Sequence, residues 1–207
     1  MLRGIGYDRR IGSQFLNPGI GFGGPCFEKD LKSIKHAATA NNLVSELFAA
    51  TLRVNEAQQT RVANLLESEV GSLRGLTIGV WGLAFKAGTD DVRDSLAVRI
   101  VGMLAERGAS IVAYDPAVHV TTLPIGSRLV SSALEATKAD VLLVLTEWPE
   151  FYSIPPRSYA ANIRRRVVID GRNALDAKRI ASAGLTYRGI GRAVSRTDGP
   201  TSLASAL

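Results

Sequence analysis

The only cysteine of the sequence, Cys26, lies in a setting that favours chemistry over simple burial. A lone cysteine is by default a small buried apolar residue. Here it follows Gly21, Gly23 and Gly24, and glycines allow a ligand to approach main-chain N–H groups closely. A helical pattern begins near Glu28, so Cys26 is expected at a helix N-terminus, where the dipole favours a thiolate. The pattern indicates an activated nucleophile of the kind that covalent catalysis on a carbonyl requires.

Two charged residues follow this cysteine within about one helical turn. Lys29 adds a cation close to the thiol. Asp30 lies four residues beyond Cys26, so the two share a helical face if the helix has begun there. The Asp30 carboxylate could then orient a water molecule or accept a proton. An ordinary first-turn acid is an equally good interpretation of Asp30.

A second glycine-containing segment, 82–86, follows a short apolar run that is typical of a β-strand. Gly82-Leu83-Ala84-Phe85-Lys86 would lie at the carboxyl edge of a sheet, where a nucleotide can bind. Its spacing is not that of the dinucleotide fingerprint, so a tight turn for helix–sheet packing is the alternative. Arg93 stands near the start of the next predicted helix, where an ion pair with Asp90 or Asp94 is its structural interpretation.

The elements that position these residues follow from hydrophobic periodicity. Residues 28–70 predict two helices that meet at Asn41-Asn42, and the chain then alternates between strands and helices. Strands are predicted at 76–81, 110–114, 128–130, 141–145, 167–170 and 186–190, and helices at 92–107, 131–138 and 173–183. This alternation predicts an α/β fold: a helical region over 1–74, a doubly wound, mainly parallel, Rossmann-like domain over 75–190, and a flexible tail over 191–207.

The amino-acid composition favours some classes of protein function and excludes others. The sequence has 207 residues, 25 Lys and Arg against 19 Asp and Glu, and 46% hydrophobic residues, which indicates a globular chain with anionic partners. Aromatic residues are 6% of the chain and do not interleave with basic ones, so RNA binding is the least favoured interpretation and no nucleic-acid partner is expected. No apolar run reaches the roughly 20 residues that cross a bilayer. With one cysteine and two distant histidines, His36 and His119, we expect a reduced, cytoplasmic protein with no membrane partner and no metal site.

Several blocks of sequence, taken in order, resemble the UDP-glucose/GDP-mannose dehydrogenase family. They are Gly21-Phe22-Gly23-Gly24-Pro25-Cys26-Phe27-Glu28-Lys29-Asp30-Leu31, Arg53-Val54-Asn55-Glu56, Gly82-Leu83-Ala84-Phe85-Lys86, Thr89-Asp90-Asp91-Val92-Arg93-Asp94-Ser95, Ala113-Tyr114-Asp115-Pro116 and Asp170-Gly171-Arg172-Asn173. The resemblance implies oxidation of a sugar-nucleotide C6 alcohol to a carboxylate with two NAD⁺. It implies that Cys26 is the nucleophile that forms a thiohemiacetal and then a thioester, and that Asp30 helps to activate water. Lys29 and Arg93 are the implied cofactor contacts, Arg93 to the NAD pyrophosphate.

The resemblance also implies a substrate site and an oligomer. The expected substrate is UDP-glucose, and GDP-mannose and N-acetylated sugar nucleotides stay open as alternatives. The helix within 43–70 is expected to form a homodimer, and Arg10 to reach the sugar nucleotide of the neighbouring subunit. The implied substrate contacts are Arg10, Phe15, Leu16, Asn17, Gly21, Phe22, Gly23, Phe85, Lys86 and Arg172.

The length of the chain bears on activity. It is about half of what two-step NAD⁺ chemistry with separate cofactor and substrate domains requires. We therefore expect a chain that lacks the N-terminal NAD domain and is inactive alone. The alternative is a catalytically silent module that binds a UDP-sugar and dimerises.

Overall fold

One parallel sheet of six strands organises the chain. The structure, a computed structural model, describes residues 2–13, 16–119 and 122–195. The strands are β1 (Thr77–Trp81), β2 (Ser110–Tyr114), β3 (Arg128–Leu129), β4 (Val141–Val144), β5 (Val167–Asp170) and β6 (Thr186–Gly189). Their order is β3-β2-β1-β4-β5-β6, and every neighbouring pair is parallel. This is the Rossmann order, so the predicted α/β fold is confirmed.

Helices connect and flank the strands. They are α1 (Leu2–Ile5), α2 (Phe27–Ala40), α3 (Glu46–Val70), α4 (Leu96–Glu106), α5 (Ala133–Ala136), α6 (Pro149–Ser153), α7 (Pro156–Tyr159) and α8 (Ala177–Ser182). The two long helices around Asn41-Asn42 are confirmed, and the helices predicted at 131–138 and 173–183 are shorter than expected. The short helices α1, α6 and α7 were not predicted. Both α6 and α7 begin with proline, whose fixed φ suits the first turn of a helix.

The two faces of the sheet carry separate apolar layers, because side chains alternate along each strand. On one face, Ile78, Val80 and Leu143 pack with residues of α3 and α4. On the other, Trp81 and Leu142 pack with the short helices. The second half of α3 contributes Val62, Ala63 and Leu66 to the first layer, so this helix is anchored to the sheet and its first half extends from it.

The helix predicted at 92–107 begins later, at Leu96. Asp94 has φ +51°, a left-handed conformation that a helix cannot include, and Ser95 is extended at the N-cap position. Arg93 therefore lies in a turn before the helix. Its guanidinium pairs with Asp91, with Nη2 and Oδ2 2.8 Å apart, and not with Asp90 or Asp94 as expected. Asp94 pairs instead with Arg99 at 2.9 Å.

Two further findings concern the described part of the chain only. None of its helices has both the length and the apolar character to cross a membrane. Within those same ranges, no three His, Cys, Asp or Glu side chains are grouped so that they could hold a metal ion.

Candidate functional site

A cleft of about 1030 Å³ opens at the carboxyl ends of β1, β4 and β5. The strand order reverses direction between β1 and β4, which is where open parallel sheets of this type bind ligands. Three walls enclose the cleft: the segment 17–25 (hereafter the glycine segment), the first half of α3, and the loops that follow the strands. The lining residues are Asn17, Pro18, Gly19, Gly21, Phe22, Gly23, Ala50, Thr51, Val54, Asn55, Gln58, Phe85, Lys86, Glu147, Tyr152, Arg172, Asn173 and Ala174.

The glycine segment lies close against the loop that follows β1. The Gly24 N–H donates to the Asp94 carbonyl at 3.1 Å. A Cβ on Gly24, whose φ is +89°, would come within 2.8 Å of the Phe85 ring. Only glycine combines that conformation with such a close approach. The aromatic wall of the cleft therefore depends on Gly24, and the Lys86 Nζ lies 5.4 Å from the centre of the same ring.

Arg172 joins three parts of the cleft wall. Its side chain is only 15% exposed, and its Nε donates to the Leu145 carbonyl at 2.8 Å. Nη1 and Nη2 point at the carbonyls of Gly21 (3.3 Å) and Phe85 (3.5 Å). The Glu147 carboxylate lies 3.2 Å from Nε. Burial lowers the pKa of the Arg172 guanidinium, so this cation has lost hydration that an anionic ligand could replace.

Asp115, directly after β2, fixes the turn that follows β1. Its side chain is buried, and its Oδ2 accepts from the N–H groups of Leu83 (2.7 Å) and Ala84 (3.0 Å). The Trp148 Nε1 donates to the same oxygen at 3.1 Å. Oδ1 accepts from the N–H groups of residues 117 and 118. One carboxylate thus ties together the carboxyl ends of β1, β2 and β4.

Cys26 occupies the N-cap position of α2 and is exposed, which confirms the expected placement at a helix N-terminus. The Asp30 N–H donates to the Cys26 carbonyl at 2.9 Å, so the two residues share the first turn of the helix. The Lys29 Nζ is 3.9 Å from the Asp30 carboxylate. Both charged side chains are more than half exposed and are free to turn toward a ligand.

A second depression, a groove of about 510 Å³, is lined in part by residues that flank Cys26 in the sequence. Its lining residues are Pro25, Glu28, Lys29, Lys32, Ser33, His36, Asp94 and Arg99. Glu28 bonds Lys32 at 2.6 Å and Arg99 at 3.2 Å, and the Lys32 hydrogen bond lowers the pKa of the Glu28 carboxyl. Gly23 lines the cleft and Pro25 lines the groove, so the chain passes from one to the other at Gly24, two residues before Cys26.

The structure brings together most of the residues expected to contact substrate. Those that line the cleft are Asn17, Gly21, Phe22, Gly23, Phe85, Lys86 and Arg172. Leu16 is half-buried outside this lining, and Phe15 lies outside the described residues. Arg10 is not in the cleft, since its exposed guanidinium pairs with Asp8 at 2.6 Å. Of the two expected cofactor contacts, Lys29 lines the groove and Arg93 is an exposed residue in the turn before α4.

Sequence reasoning did not assign several polar residues of the cleft. Asn55 and Gln58 of α3 bond to the glycine segment, and Glu147 and Asn173 follow β4 and β5. Glu147 could have been found, because a polar residue directly after a buried parallel strand is at the ligand-binding edge of the sheet. Asn55 belongs to the block Arg53-Val54-Asn55-Glu56, which resembles the family, but the sequence predicted no role for it.

Two curated relatives cover nearly the whole chain. The UDP-glucose 6-dehydrogenase TuaD of Bacillus subtilis is 38% identical over 204 residues, which are 96% of this chain and 44% of that protein. The UDP-glucose 6-dehydrogenase AglM of Haloferax volcanii is 39% identical over 196 residues, 92% of this chain and 43% of its own length. The chain thus spans less than half the length of these relatives.

Solved structures show the same arrangement. The UDP-glucose dehydrogenase from Pyrobaculum islandicum superposes with a TM-score of 0.78 at 32% identity, over 93% of this chain and 43% of that one. A UDP-D-ManNAc dehydrogenase from Pyrococcus horikoshii superposes with a TM-score of 0.74 at 28% identity, over 92% and 43% of the two chains.

Two models of a single protein family account for most of the sequence. The central domain of the UDP-glucose/GDP-mannose dehydrogenase family matches residues 1–57. The UDP binding domain of the same family matches residues 79–177, which include the parallel sheet up to β5 and the loops after its strands. The chain therefore belongs to the UDP-glucose/GDP-mannose dehydrogenase family.

Proposed function

We propose that the cleft binds the UDP part of a nucleotide sugar, with UDP-glucose as the substrate, and that Cys26 is the nucleophile in oxidation of the sugar C6 alcohol to a carboxylate. The observation that carries this proposal is a nucleotide-sized cleft at the sheet edge whose glycine segment leads directly into Cys26, with Gly23 in the lining of the cleft and Pro25 in the lining of the groove. Such an arrangement suits a substrate on the cleft side of this segment and a cofactor on the groove side.

The groups around the cleft match the parts of a nucleoside diphosphate. The guanidinium of Arg172 and the ammonium of Lys86 supply positive charge for the phosphates, and planar guanidinium groups bind phosphate through paired hydrogen bonds. The long contacts from Arg172 to Gly21 and Phe85 leave donors that a phosphate oxygen can take. The Phe85 ring offers an apolar surface for the base or the sugar.

Cys26 acts on the aldehyde that the first oxidation produces. Its thiolate sulfur forms a bond to the aldehyde carbon, and the carbonyl oxygen takes a proton, which gives a thiohemiacetal. Transfer of hydride from that carbon to the cofactor's hydride acceptor, with release of the hydroxyl proton to solvent, leaves a thioester on the cysteine. Water then attacks, the C–S bond breaks, and the carboxylate leaves as the thiolate is restored. Asp30, one turn along α2, accepts the proton of the attacking water.

NAD⁺ is the cofactor that this proposal assigns to the groove side of Cys26, and it supplies the hydride acceptor for both oxidations. The side chains present fit a dinucleotide pyrophosphate. Lys29 and Arg93 are more than 70% exposed. Among the described residues Lys29 lines the groove and has one long ion pair, to Asp30, so its ammonium can reach a phosphate. Arg93 would have to exchange its pairing with Asp91 for the phosphate. Their role is to hold and orient the anion beside the thiol.

The first half of α3, together with α2 and the turn that joins the two helices, carries a surface that suits a homodimer. Apolar side chains that are 47–85% exposed lie on α2, on α3 and on the turn that joins them, namely Ile34, Leu43, Val44, Leu47 and Val54. Exposed apolar groups in such number mark an interaction surface. We assign it to a second copy of the chain, and we assign Arg10, which lies outside the cleft of its own subunit, to the nucleotide sugar of the neighbouring one.

Calorimetric titration of the 207-residue chain with UDP-glucose tests the substrate assignment. We expect one saturable site per chain, binding of UDP alone at the same site, and affinity for GDP-mannose at least about tenfold weaker. Lys86→Ala should weaken UDP-glucose about tenfold, since one charge-assisted hydrogen bond is lost. The matched control is Lys138→Ala, an exposed lysine outside the cleft, and it should leave the affinity unchanged. A folded chain that shows no saturable heat with UDP-glucose would refute the proposal.

A further inference from the structure

One turn of α3 carries two amide side chains that bond the main chain of the glycine segment. The Asn55 Oδ1 accepts from the Phe22 N–H at 2.8 Å, and the Asn55 Nδ2 donates to the Phe22 carbonyl at 2.9 Å. Three residues later, the Gln58 Nε2 donates to the Gly19 carbonyl at 3.2 Å. The segment 19–22 is therefore held at two points by a helix that is more than thirty residues away in sequence.

The burial of Asn55 has no explanation in the helix itself. Asparagine is a poor residue for a helix interior, yet Asn55 is 5% exposed near the middle of α3. A buried amide is tolerated when its donor and acceptor are both used. Here one side chain satisfies both main-chain groups of Phe22, as a neighbouring strand would.

Gly21 shows how closely the two elements approach. Its φ is +106°, and a Cβ at this position would collide with the Asn55 Oδ1. The glycine and the asparagine are thus complementary: the missing side chain at Gly21 makes room for the amide that holds Phe22. This close approach is independent of the hydrogen bonds and supports the same conclusion, that Asn55 and Gln58 hold the segment 19–22. We call these two side chains the clamp.

From Phe22 the clamp extends to the nucleophile. The Phe22 ring packs edge-on against the Phe27 ring, with centroids 4.6 Å apart and planes at 71°. Phe27 is the first residue of α2 and directly follows Cys26. The position of Cys26 is set on one side by this aromatic pair and on the other by the bond from Gly24 to Asp94.

We propose that Asn55, supported by Gln58, is a positioning residue that holds the glycine segment in the shape that binds the nucleotide sugar and presents Cys26. The identification of this nucleotide sugar as UDP-glucose rests on the function proposed above. The clamp couples the cleft to α3, whose first half also carries the exposed apolar surface, so ligand binding and the packing of α3 bear on one another.

The first test needs no ligand. Hydrogen–deuterium exchange of the full chain is followed by mass spectrometry in Asn55→Leu, which keeps the branching at Cγ and favours the helix but removes both hydrogen bonds. We expect exchange of the Phe22 amide to accelerate about tenfold or more, while peptides from β4 and β5 are unchanged. Gln58→Ala, a milder variant that preserves the helix, should accelerate exchange in the same segment by less. The matched control is Asn64→Ala, which removes an exposed amide of α3 that bonds Arg107.

The second test uses UDP-glucose as the probe. At a temperature where each variant is folded, Asn55→Leu should weaken UDP-glucose at least about tenfold, and Asn64→Ala should not. The inference is wrong if exchange at Phe22 is unchanged, if it rises equally throughout the chain, or if affinity is retained in Asn55→Leu. Failure of the wild-type chain to bind UDP-glucose would instead count against the proposed function, and the exchange result would still decide whether the clamp exists.

Discussion

Replacement of Arg172 by alanine is expected to weaken UDP-glucose binding about 100-fold and to lower the free energy of unfolding by about 3 kcal/mol. The affinity falls because two charge-assisted hydrogen bonds to phosphate are lost, at roughly 1.5 kcal/mol each. Stability falls because the carbonyls of Leu145 and Gly21 lose their donor and the Glu147 carboxylate loses its cation. Calorimetry and urea unfolding measure the two effects separately.

Two variants separate these contributions. Arg172→Lys keeps the charge but loses the planar fork, so it should recover part of the stability and little of the affinity. The control is Arg164→Ala, which removes an arginine that pairs with Asp140 and is 58% exposed. Its Asp140 partner is only 13% exposed and accepts two hydrogen bonds from it, so a loss of about 1–2 kcal/mol in the free energy of unfolding is expected, with no effect on UDP-glucose. If a folded Arg172→Ala protein bound UDP-glucose with wild-type affinity, Arg172 would not contribute to the binding site.

Replacement of Asp115 by alanine is expected to have the largest effect on stability, about 3 kcal/mol or more. Its buried carboxylate accepts five hydrogen bonds from three loops. Hydrogen bonds to a charged group contribute roughly 1.5–3 kcal/mol each, and a buried donor left without a partner is costly. Since two of the donors belong to the turn before Phe85, the variant should also lose affinity for UDP-glucose when it is assayed below its unfolding temperature.

The matched control for Asp115 is Asp176→Ala. Asp176 also accepts two main-chain N–H groups, those of Lys178 and Arg179, but it is an exposed N-cap of α8. Loss of such a cap costs about 1 kcal/mol. Equal losses of unfolding free energy in the two variants would show that Asp115 acts only as another local cap and does not join the strand ends.

Much of the fold followed from local sequence patterns. The strands 110–114 and 167–170 were predicted to the residue, because each is a short run of β-forming residues between turn signals. The start of α4 was misplaced because the left-handed conformation of Asp94 depends on its surroundings and not on a local pattern. The helices α6 and α7 were missed because their prolines also indicate loops.

The candidate site was less accessible to sequence reasoning than the fold. The cysteine, its helix and the loop of Phe85 and Lys86 are local features, so residue types and spacing pointed to them. Asn55 holds Phe22 from 33 positions away, and such a contact exists only after the chain has folded. Local patterns therefore pointed to candidate residues of the site, whereas a contact between distant parts of the chain could not be predicted from them.

The central claim is that one cleft binds UDP and brings an attached sugar to Cys26. The most direct measurement is labelling of the chain with a UDP-linked α-haloketone, followed by mass spectrometry of Cys26. We predict alkylation of Cys26 that is about 100-fold or more faster than with the same haloketone lacking UDP, because binding raises the effective concentration of the electrophile beside the thiol. Excess UDP should suppress this advantage. Equal rates with the two reagents, or a rate that excess UDP does not change, would contradict the account.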